Sequence, residues 1–212
     1  MSKLWGCADL PHGCRYPEVE WVDEDGMTCA DPMTFICQIR LQDIAAYDSE
    51  NLLPHTGMLY FFADIDYFLG NLEADSPGMR QWDKDRYRVL YAPETEHLDT
   101  HRIVCEDGTA FGLPAQELSF VHCEERADGF KLLGKPYFEE TEEEYPHYIS
   151  LLQLDCNDDW RLQFYDCGML NILITPEDLA ARKWEQAMAH PTNQGERFHK
   201  PKEKLYICTM NT

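Results

Sequence analysis

Short apolar runs, separated by turn residues, dominate this chain and predict buried β-strands. Two such runs, about five to seven residues long, surround Gln38 and Gln153, and this length is typical of strands inside a core. Further runs follow Gly57 and Gly168, where glycine suits a tight turn that leads into a strand. Other strands are predicted over residues 86–91, 119–123, 161–165 and 205–209.

One segment, residues 176–189, has the pattern of an amphipathic helix. Thr175 is suited to capping it and Pro176 to its first turn. Apolar residues then recur at helical spacing and would form one face, namely Ala180, Trp184, Ala187 and Met188. His190 and Pro191 predict its end. A shorter helix or turn is expected at residues 41–47. The pattern as a whole predicts a β-rich, mixed α+β fold.

The strand-forming segments occur twice in the same order. Residues 3–6 are similar to 131–134, the run around Gln38 to that around Gln153, and the run after Gly57 to that after Gly168. This order predicts two related halves that share one core, residues 1–125 and 126–212, with a turn at their boundary. Superposition of the halves should then place Gln38 on Gln153 and Gly57 on Gly168.

The charge balance restricts the partners that this chain can bind. There are 18 basic and 39 acidic residues, which give a net charge of −21. Phosphate repulsion argues against nucleic acid as a direct partner, and anionic membrane is disfavoured for the same reason. Two explanations for the acidity remain, which are solubility alone and attraction of a basic protein partner through the long-range field.

The nine cysteines are odd in number and include no Cys-x-x-Cys pair. This usage predicts free thiols in a reducing cytoplasm, without disulfides, and the N-terminal residues do not have the pattern of a secretory signal. A zinc site at His97, His101 and Cys105 is not expected, because Ile103 and Val104 favour a strand. A second set also fits no zinc spacing, namely Cys7, His12, Cys14 and Cys29. We therefore expect no structural metal and no cofactor.

No catalytic residues are predicted. The sequence contains no Gly-x-Ser-x-Gly elbow, phosphate-binding loop or His-Glu-x-x-His motif. Pairs of carboxylates are frequent, but 39 acidic residues produce such pairs by chance. The sequence thus favours a non-enzymatic protein, although an unrecognised hydrolase remains an alternative.

Several motifs resemble those of the YwqG-like family, a bacterial domain of unknown function. They are residues 2–6, 9–11, 16–17, 32–39, 53–62, 131–136, 151–155 and 166–170. The resemblance implies a β-rich α+β fold and brings no established catalytic residues. Some members are thought to be encoded near polymorphic toxin genes, which implies an immunity or interaction role.

Two acidic clusters flank the predicted strand at residues 151–154 and are the candidate partner-binding surface. With an adjacent aromatic residue, the candidates are Glu142, Glu143, Glu144, Asp155, Asp158, Asp159 and Trp160. The favoured function is a protein-binding module for a basic partner, of which a toxin-immunity protein is one form. The first alternative is a small-molecule or peptide-binding domain with a groove between the halves. The sequence does not indicate the oligomeric state.

Overall fold

The computed structural model describes residues 1–105 and 107–193 and the backbone of residues 205–208. In chain order the strands are β1 Lys3–Leu4, β2 Ala8–Pro11, β3 Glu18–Val22, β4 Thr28–Pro32, β5 Thr34–Arg40, β6 Met58–Ala63, β7 Tyr87–Ala92, β8 Leu98–His101, β9 Gln116–Glu117, β10 Phe120–Cys123, β11 Lys131–Leu132, β12 Ile149–Asp155, β13 Met169–Ile174, β14 Met188–Thr192 and β15 Leu205–Cys208. The α-helices are α1 Leu41–Ile44, α2 Glu139–Glu144 and α3 Pro176–Ala180, and there are 3-10 helices at Asp66–Leu69, Asp158–Trp160 and Trp184–Gln186.

Strands outnumber helices and form two main sheets. The first sheet has the order β7-β6-β5-β1-β9 and is antiparallel throughout. The second has the order β10-β15-β11-β12-β13-β14, in which β15 runs parallel to both of its neighbours. Two further antiparallel pairs, β2 with β8 and the hairpin of β3 with β4, complete the described part. With 36% strand and 13% helix, the fold is β-rich with a minor helical component, as predicted.

One large cluster of buried apolar side chains includes residues from both sheets. Across this core the rings of Trp5 and Trp160 meet edge to face, with centroids 5.5 Å apart. The ring centroids of Phe68 and Phe164 are 5.1 Å apart. A smaller cluster around Leu10 covers the other face of β5 and β6. Since the large cluster belongs to both sheets, burial of apolar surface couples them.

The two glutamines lie in like elements of the two sheets. Gln38 in β5 is opposite Lys3 of β1, and Gln153 in β12 is opposite Lys131 of β11. Each strand then pairs with the next long strand of its sheet, β6 or β13. In both pairs the register shifts at the residue two positions before the glutamine.

The two buried glutamine amides also have equivalent hydrogen bonds. Each Oε1 accepts a backbone N–H at 2.9 Å, from the residue six positions after the paired lysine. Each Nε2 donates to the carbonyl oxygen two positions before that lysine. The partners are Asp9 and Met1 for Gln38, and Tyr137 and Gly129 for Gln153. The amides thereby satisfy backbone groups that would otherwise be buried without partners.

The prediction of a helix over residues 176–189 is wrong beyond its first turns. The cap is confirmed, because the Thr175 hydroxyl accepts the N–H of Asp178 at 3.1 Å and proline occupies the first turn. However, α3 ends at Ala180, and Arg182 has φ +56°, which a continuing helix does not tolerate. The remaining apolar residues are buried as the 3-10 helix at 184–186 and the edge strand β14.

The other predicted elements differ in outcome. The strands predicted near 86–91 and 119–123 and the short helix after residue 41 are confirmed. That near 205–209 is confirmed for 205–208, and residue 209 lies outside the described part. The strand predicted over 161–165 is wrong, since Leu162 makes only an isolated bridge to Asn157 and Arg161 and Tyr165 have positive φ. The chain enters the second sheet between β9 and β10, before the predicted boundary at 125.

Cys123 is disulfide-bonded, so the prediction that all nine cysteines are free thiols is wrong. The backbone of Cys123 lies opposite that of residue 208, because β10 and β15 run parallel in register. Sequence spacing does not reveal such a pairing of distant strands. Free thiols are found among the other cysteines, namely at Cys7, Cys14, Cys29, Cys37 and Cys105.

Neither zinc set considered in the sequence forms a metal-binding group. His101 belongs to strand β8 and His97 precedes it with φ +57°, so no helix aligns them with Cys105. Among the described residues, no three His, Cys, Asp or Glu side chains are arranged to hold a metal ion. In this same part of the chain, no helix has the length and apolar character needed to cross a membrane.

Candidate functional site: an acidic cavity

A cavity beside the first sheet has a volume of about 540 Å³, within the range typical of ligand-binding pockets. Its described walls are the β3–β4 pair, residues from the segment 64–75 after β6, Arg86, and residues 103–105 and 111. All of its described lining residues come from positions 19–111. The cavity therefore lies within the predicted first half, and not in a groove between the halves.

Two aspartates follow β6 and lie on the wall of the cavity. Asp64 is held opposite Arg86, which precedes β7, by a backbone hydrogen bond of 2.8 Å from its N–H to the Arg86 carbonyl. The guanidinium of Arg86 also donates from Nη1 to the Asp64 carboxylate at 2.5 Å. Asp66 begins the adjacent 3-10 helix and accepts a hydrogen bond from the hydroxyl of Thr34. Regular pairing of β6 with β7 thus fixes these carboxylates in place.

The cavity has a strong excess of negative charge. Among the described lining residues Arg86 is the only basic one, whereas five carboxylates line the cavity, namely Asp31, Asp64, Asp66, Glu73 and Asp75. Asp31 is oriented by the indole N–H of Trp21, which donates to its Oδ2 at 2.7 Å. Glu73 and Asp75 lie on an exposed loop and form no ion pair with another described residue. The single positive charge of Arg86 does not neutralise five carboxylates.

The electrostatics of the two inner carboxylates reflect this imbalance. Burial raises the pKa of Asp64, which the ion pair with Arg86 opposes and the charge of Asp75 reinforces. Burial also raises the pKa of Asp66, with hydrogen bonding from Thr34 opposing and the charge of Asp64 adding to it. Repulsion between like charges is therefore built into the site, and a bound cation would relieve it.

Exposed apolar side chains are among the lining residues of the cavity. Trp21 and Val104 line it and are 42% and 50% exposed. Leu72, between two lining residues, is 79% exposed. The site thus combines carboxylates with exposed apolar side chains, a combination more typical of protein interfaces than of a purely solvated loop.

Two of the predicted partner-binding residues are buried in the core. Asp155 is 5% exposed, and its carboxylate accepts the backbone N–H groups of Gly129 and Cys156, both at 2.9 Å. Trp160 is 8% exposed and packs edge to face on Trp5 and Phe130. These side chains stabilise the second sheet and do not belong to the exposed surface.

The other predicted residues lie in α2 and in the 3-10 helix after β12. Glu142 is half-buried and forms ion pairs with Arg126 and with Lys135, the latter at 3.2 Å. Hydrogen bonding from Arg126 lowers its pKa further than burial raises it. Glu144 is exposed, with Oε2 3.7 Å from Nε2 of His190. The remaining three are exposed and form no ion pair with a described residue, namely Glu143, Asp158 and Asp159.

The carboxylates of the cavity have no distinctive signature in the sequence. They come from separate segments, and none of these is unusual in a chain with 39 acidic residues. One signal was present, since Asp64 and Asp66 directly follow a wholly apolar strand. Polar residues at the end of a buried strand are positioned by a rigid scaffold and often carry function.

Comparison with known proteins finds one match to a family model. The model is that described as "Domain of unknown function (DUF1963)", and it matches residues 2–190. No curated protein matches the chain. The matched region includes all described lining residues of the acidic cavity and the acids of α2 and of the 3-10 helix after β12.

Proposed function

Because the chain belongs to the DUF1963 family, whose description names no activity, we propose a function from its surface: a non-enzymatic module that binds a basic protein. The observation that carries the proposal is the net charge of −21 on 212 residues. A magnitude of roughly 2–8 serves the solubility of a small domain. The excess destabilises the folded state through self-repulsion, and steering of a basic partner is a benefit that offsets this cost.

The finer assignments are part of this proposal. The ordered motifs support a YwqG-like member that acts in the cytoplasm, and a toxin-immunity protein is the specific form of the function that the resemblance favours. Duplication of an ancestral half is supported by the matching strand pairings and by the equivalent bonds of Gln38 and Gln153.

The exposed acids of the second sheet contribute to steering in this proposal. Glu143, Asp158 and Asp159 form no ion pair with a described residue, so their charges act on solvent and on an approaching partner. Association driven by such a field reaches about 10⁸–10⁹ M⁻¹s⁻¹ at low salt, against about 10⁵–10⁶ M⁻¹s⁻¹ without it. Salt screens the effect, since the Debye length is about 8 Å at physiological ionic strength.

The test is charge reversal of these three residues, Glu143→Lys, Asp158→Lys and Asp159→Lys together. Association with a basic protein encoded beside this gene is measured by stopped flow at several salt concentrations. Association should slow by at least about tenfold at low salt and depend less on salt. A control variant with the same change in net charge reverses three exposed acids elsewhere, namely Glu94, Glu96 and Glu117.

The control separates a directed field from net charge alone. If both triple variants slow association equally, net charge drives the encounter and the second-sheet acids have no special role. If no basic protein from the gene neighbourhood binds the unaltered chain, the proposed function is wrong and solubility explains the acidity.

A second candidate function, binding of a small molecule or peptide, is favoured by the acidic cavity. Its volume of about 540 Å³ and its mixed lining are suited to a ligand. No observation among the described residues favours the hydrolase alternative over these two.

A further inference from the structure

We propose that the acidic cavity is the docking site for one arginine side chain of the partner, carried on a segment with apolar residues on either side. The inference rests on the proposed function in one respect, namely that the partner is a basic protein. It goes beyond that function because it assigns a different surface, a defined residue type and a mode of recognition.

The charge of the cavity favours a cationic occupant. Five carboxylates line it against the single described guanidinium, that of Arg86. That guanidinium is already bound to Asp64, so it leaves Glu73 and Asp75 without an ion pair to a described residue. A second guanidinium placed among Asp66, Glu73 and Asp75 would convert repulsion between carboxylates into attraction.

The aromatic wall favours arginine over lysine. Trp21 lines the cavity, and its indole N–H is bonded to Asp31 at 2.7 Å, which fixes the ring next to a carboxylate. A guanidinium is planar, weakly hydrated and able to stack on an aromatic face while it bonds a carboxylate in its own plane. An ammonium is compact and strongly hydrated, and it gains less from such a wall.

The exposed apolar side chains favour a peptide segment over a free cation. Seven large hydrophobic side chains are exposed in the described part of the chain. Trp21 and Val104 line the cavity, and Leu72 lies between two lining residues. A metal ion or a polyamine would leave them in water, and no group of described residues is arranged to hold a metal. Apolar residues beside the arginine would cover them.

The peptide test compares three sequences with the unaltered protein by isothermal titration calorimetry. The peptides are acetyl-Gly-Leu-Arg-Leu-Gly-amide and its analogues with citrulline or lysine in place of arginine. Citrulline is nearly isosteric with arginine and uncharged, so it isolates the charge. We expect the arginine peptide to bind at least about tenfold tighter than the citrulline peptide and more tightly than the lysine peptide.

The protein test removes charge from the cavity without disturbing its internal bonds. The double variant Glu73→Gln with Asp75→Asn changes two exposed side chains that have no ion pair to a described residue. It should weaken binding of the arginine peptide by at least about fivefold. The matched control, Glu94→Gln with Glu96→Gln, removes the same charge from two exposed positions that do not line the cavity and should leave the affinity unchanged. Trp21→Ala should weaken binding of the arginine peptide more than binding of the lysine peptide.

Each other outcome overturns a defined part of the inference. Equal affinity for the arginine and citrulline peptides, or equal loss in both double variants, overturns the cavity as a cation site but leaves the proposed function standing. Equal affinity for arginine and lysine overturns the choice of arginine. If spermidine binds as tightly as the arginine peptide, the occupant is a small cation and the inference of a peptide segment is overturned. Failure of basic proteins and peptides alike overturns both proposals.

Discussion

At the scale of one residue, Lys131 is a buried lysine whose charged form destabilises the folded second sheet. Its side chain is fully buried in β11, and the Nζ donates to the carbonyl oxygens of Glu125 and Lys135 at 3.0 and 2.5 Å. In the first sheet the matching Lys3 is paired with Asp9 at 2.7 Å, a position that Tyr137 occupies in the second sheet. Burial, reinforced by the charge of Arg126 and opposed by that of Glu125, lowers the pKa of Lys131 to about 7.

This pKa predicts that the contribution of Lys131 to stability becomes more favourable as pH rises above neutrality. An ordinary lysine has a pKa of 10.5. Below about pH 7 the ammonium is charged in both states, so the folded state bears the full penalty of burying it. Between these values the folded state releases its proton while the unfolded state keeps it. The free energy of unfolding should therefore rise by up to about 1.4 kcal/mol per pH unit.

Urea unfolding between about pH 7 and about pH 9 measures this slope. The control is Lys131→Met, in which the two carbonyl oxygens lose their donor at every pH and the side chain cannot titrate. The difference between the two proteins should grow with pH. Parallel slopes for the two proteins would mean that Lys131 is not the residue that titrates.

At the same scale, the cavity carboxylates could not be identified from the sequence as members of one site. Asp31, Glu73 and Asp75 belong to exposed segments, and their residue types alone do not distinguish them from other surface acids. Conversely, Trp160 and Asp155 have the sequence pattern of an interface, yet one fills the core and the other bonds backbone N–H groups. Burial, which separates these cases, is set by contacts between residues distant in sequence.

At the scale of elements, local signals predicted the strands better than the last helix. The apolar runs at β5, β6, β12 and β13 are each six or seven residues, and all are buried as strands. The cap at Thr175 was also visible in the sequence. The end of α3 was not, because Trp184, Ala187 and Met188 are buried at helical spacing by tertiary packing and not by a helix. Tertiary context therefore overrode periodicity.

The close approach of β13 and β14 gives a prediction about Gly168. A Cβ at this position would lie 2.0 Å from the carbonyl oxygen of Thr192 and 2.7 Å from that of Phe164. Both are backbone atoms, so Gly168→Ala requires the strands to separate. We expect a loss of at least about 2 kcal/mol in the free energy of unfolding.

The control for this substitution is Gly13→Ala. Gly13 has φ +77°, and no heavy atom lies within 4 Å of the place that a Cβ would occupy, so only backbone strain of about 1–2 kcal/mol is expected there. Thermal or urea unfolding compares the two variants. A cost at Gly168 no greater than that at Gly13 would mean that the contact with the Thr192 carbonyl is relieved at little cost.

At the scale of the whole molecule, the shared core predicts that the two sheets unfold together. Trp5, from the first sheet, loses its edge-to-face contact if Trp160 moves away. Hydrogen bonds also join the sheets, since the Tyr87 hydroxyl donates to the Ala187 carbonyl oxygen at 2.9 Å. Near-ultraviolet and far-ultraviolet circular dichroism should therefore report coincident unfolding transitions.

Fragments provide the second measurement of this coupling. A polypeptide of residues 1–125 lacks the side chains that cover Trp5 and Phe68, so we expect it to lack a cooperative transition on its own. Two separate transitions in the full chain, or a stable isolated fragment, would show that each sheet has a self-sufficient core.

The position of β15 in the second sheet also fixes the order in which a growing polypeptide can assemble. β15 lies between β10 and β11 and pairs with both, so β10 has no neighbour in its sheet until residues 205–208 have been synthesised. By then all strands of the first sheet and β11 to β14 have been synthesised. The backbone groups of β10 that pair with β15 remain unpaired until β15 is made. The time needed to translate the residues between β14 and β15 therefore affects how long that open strand is exposed to chaperones and to aggregation.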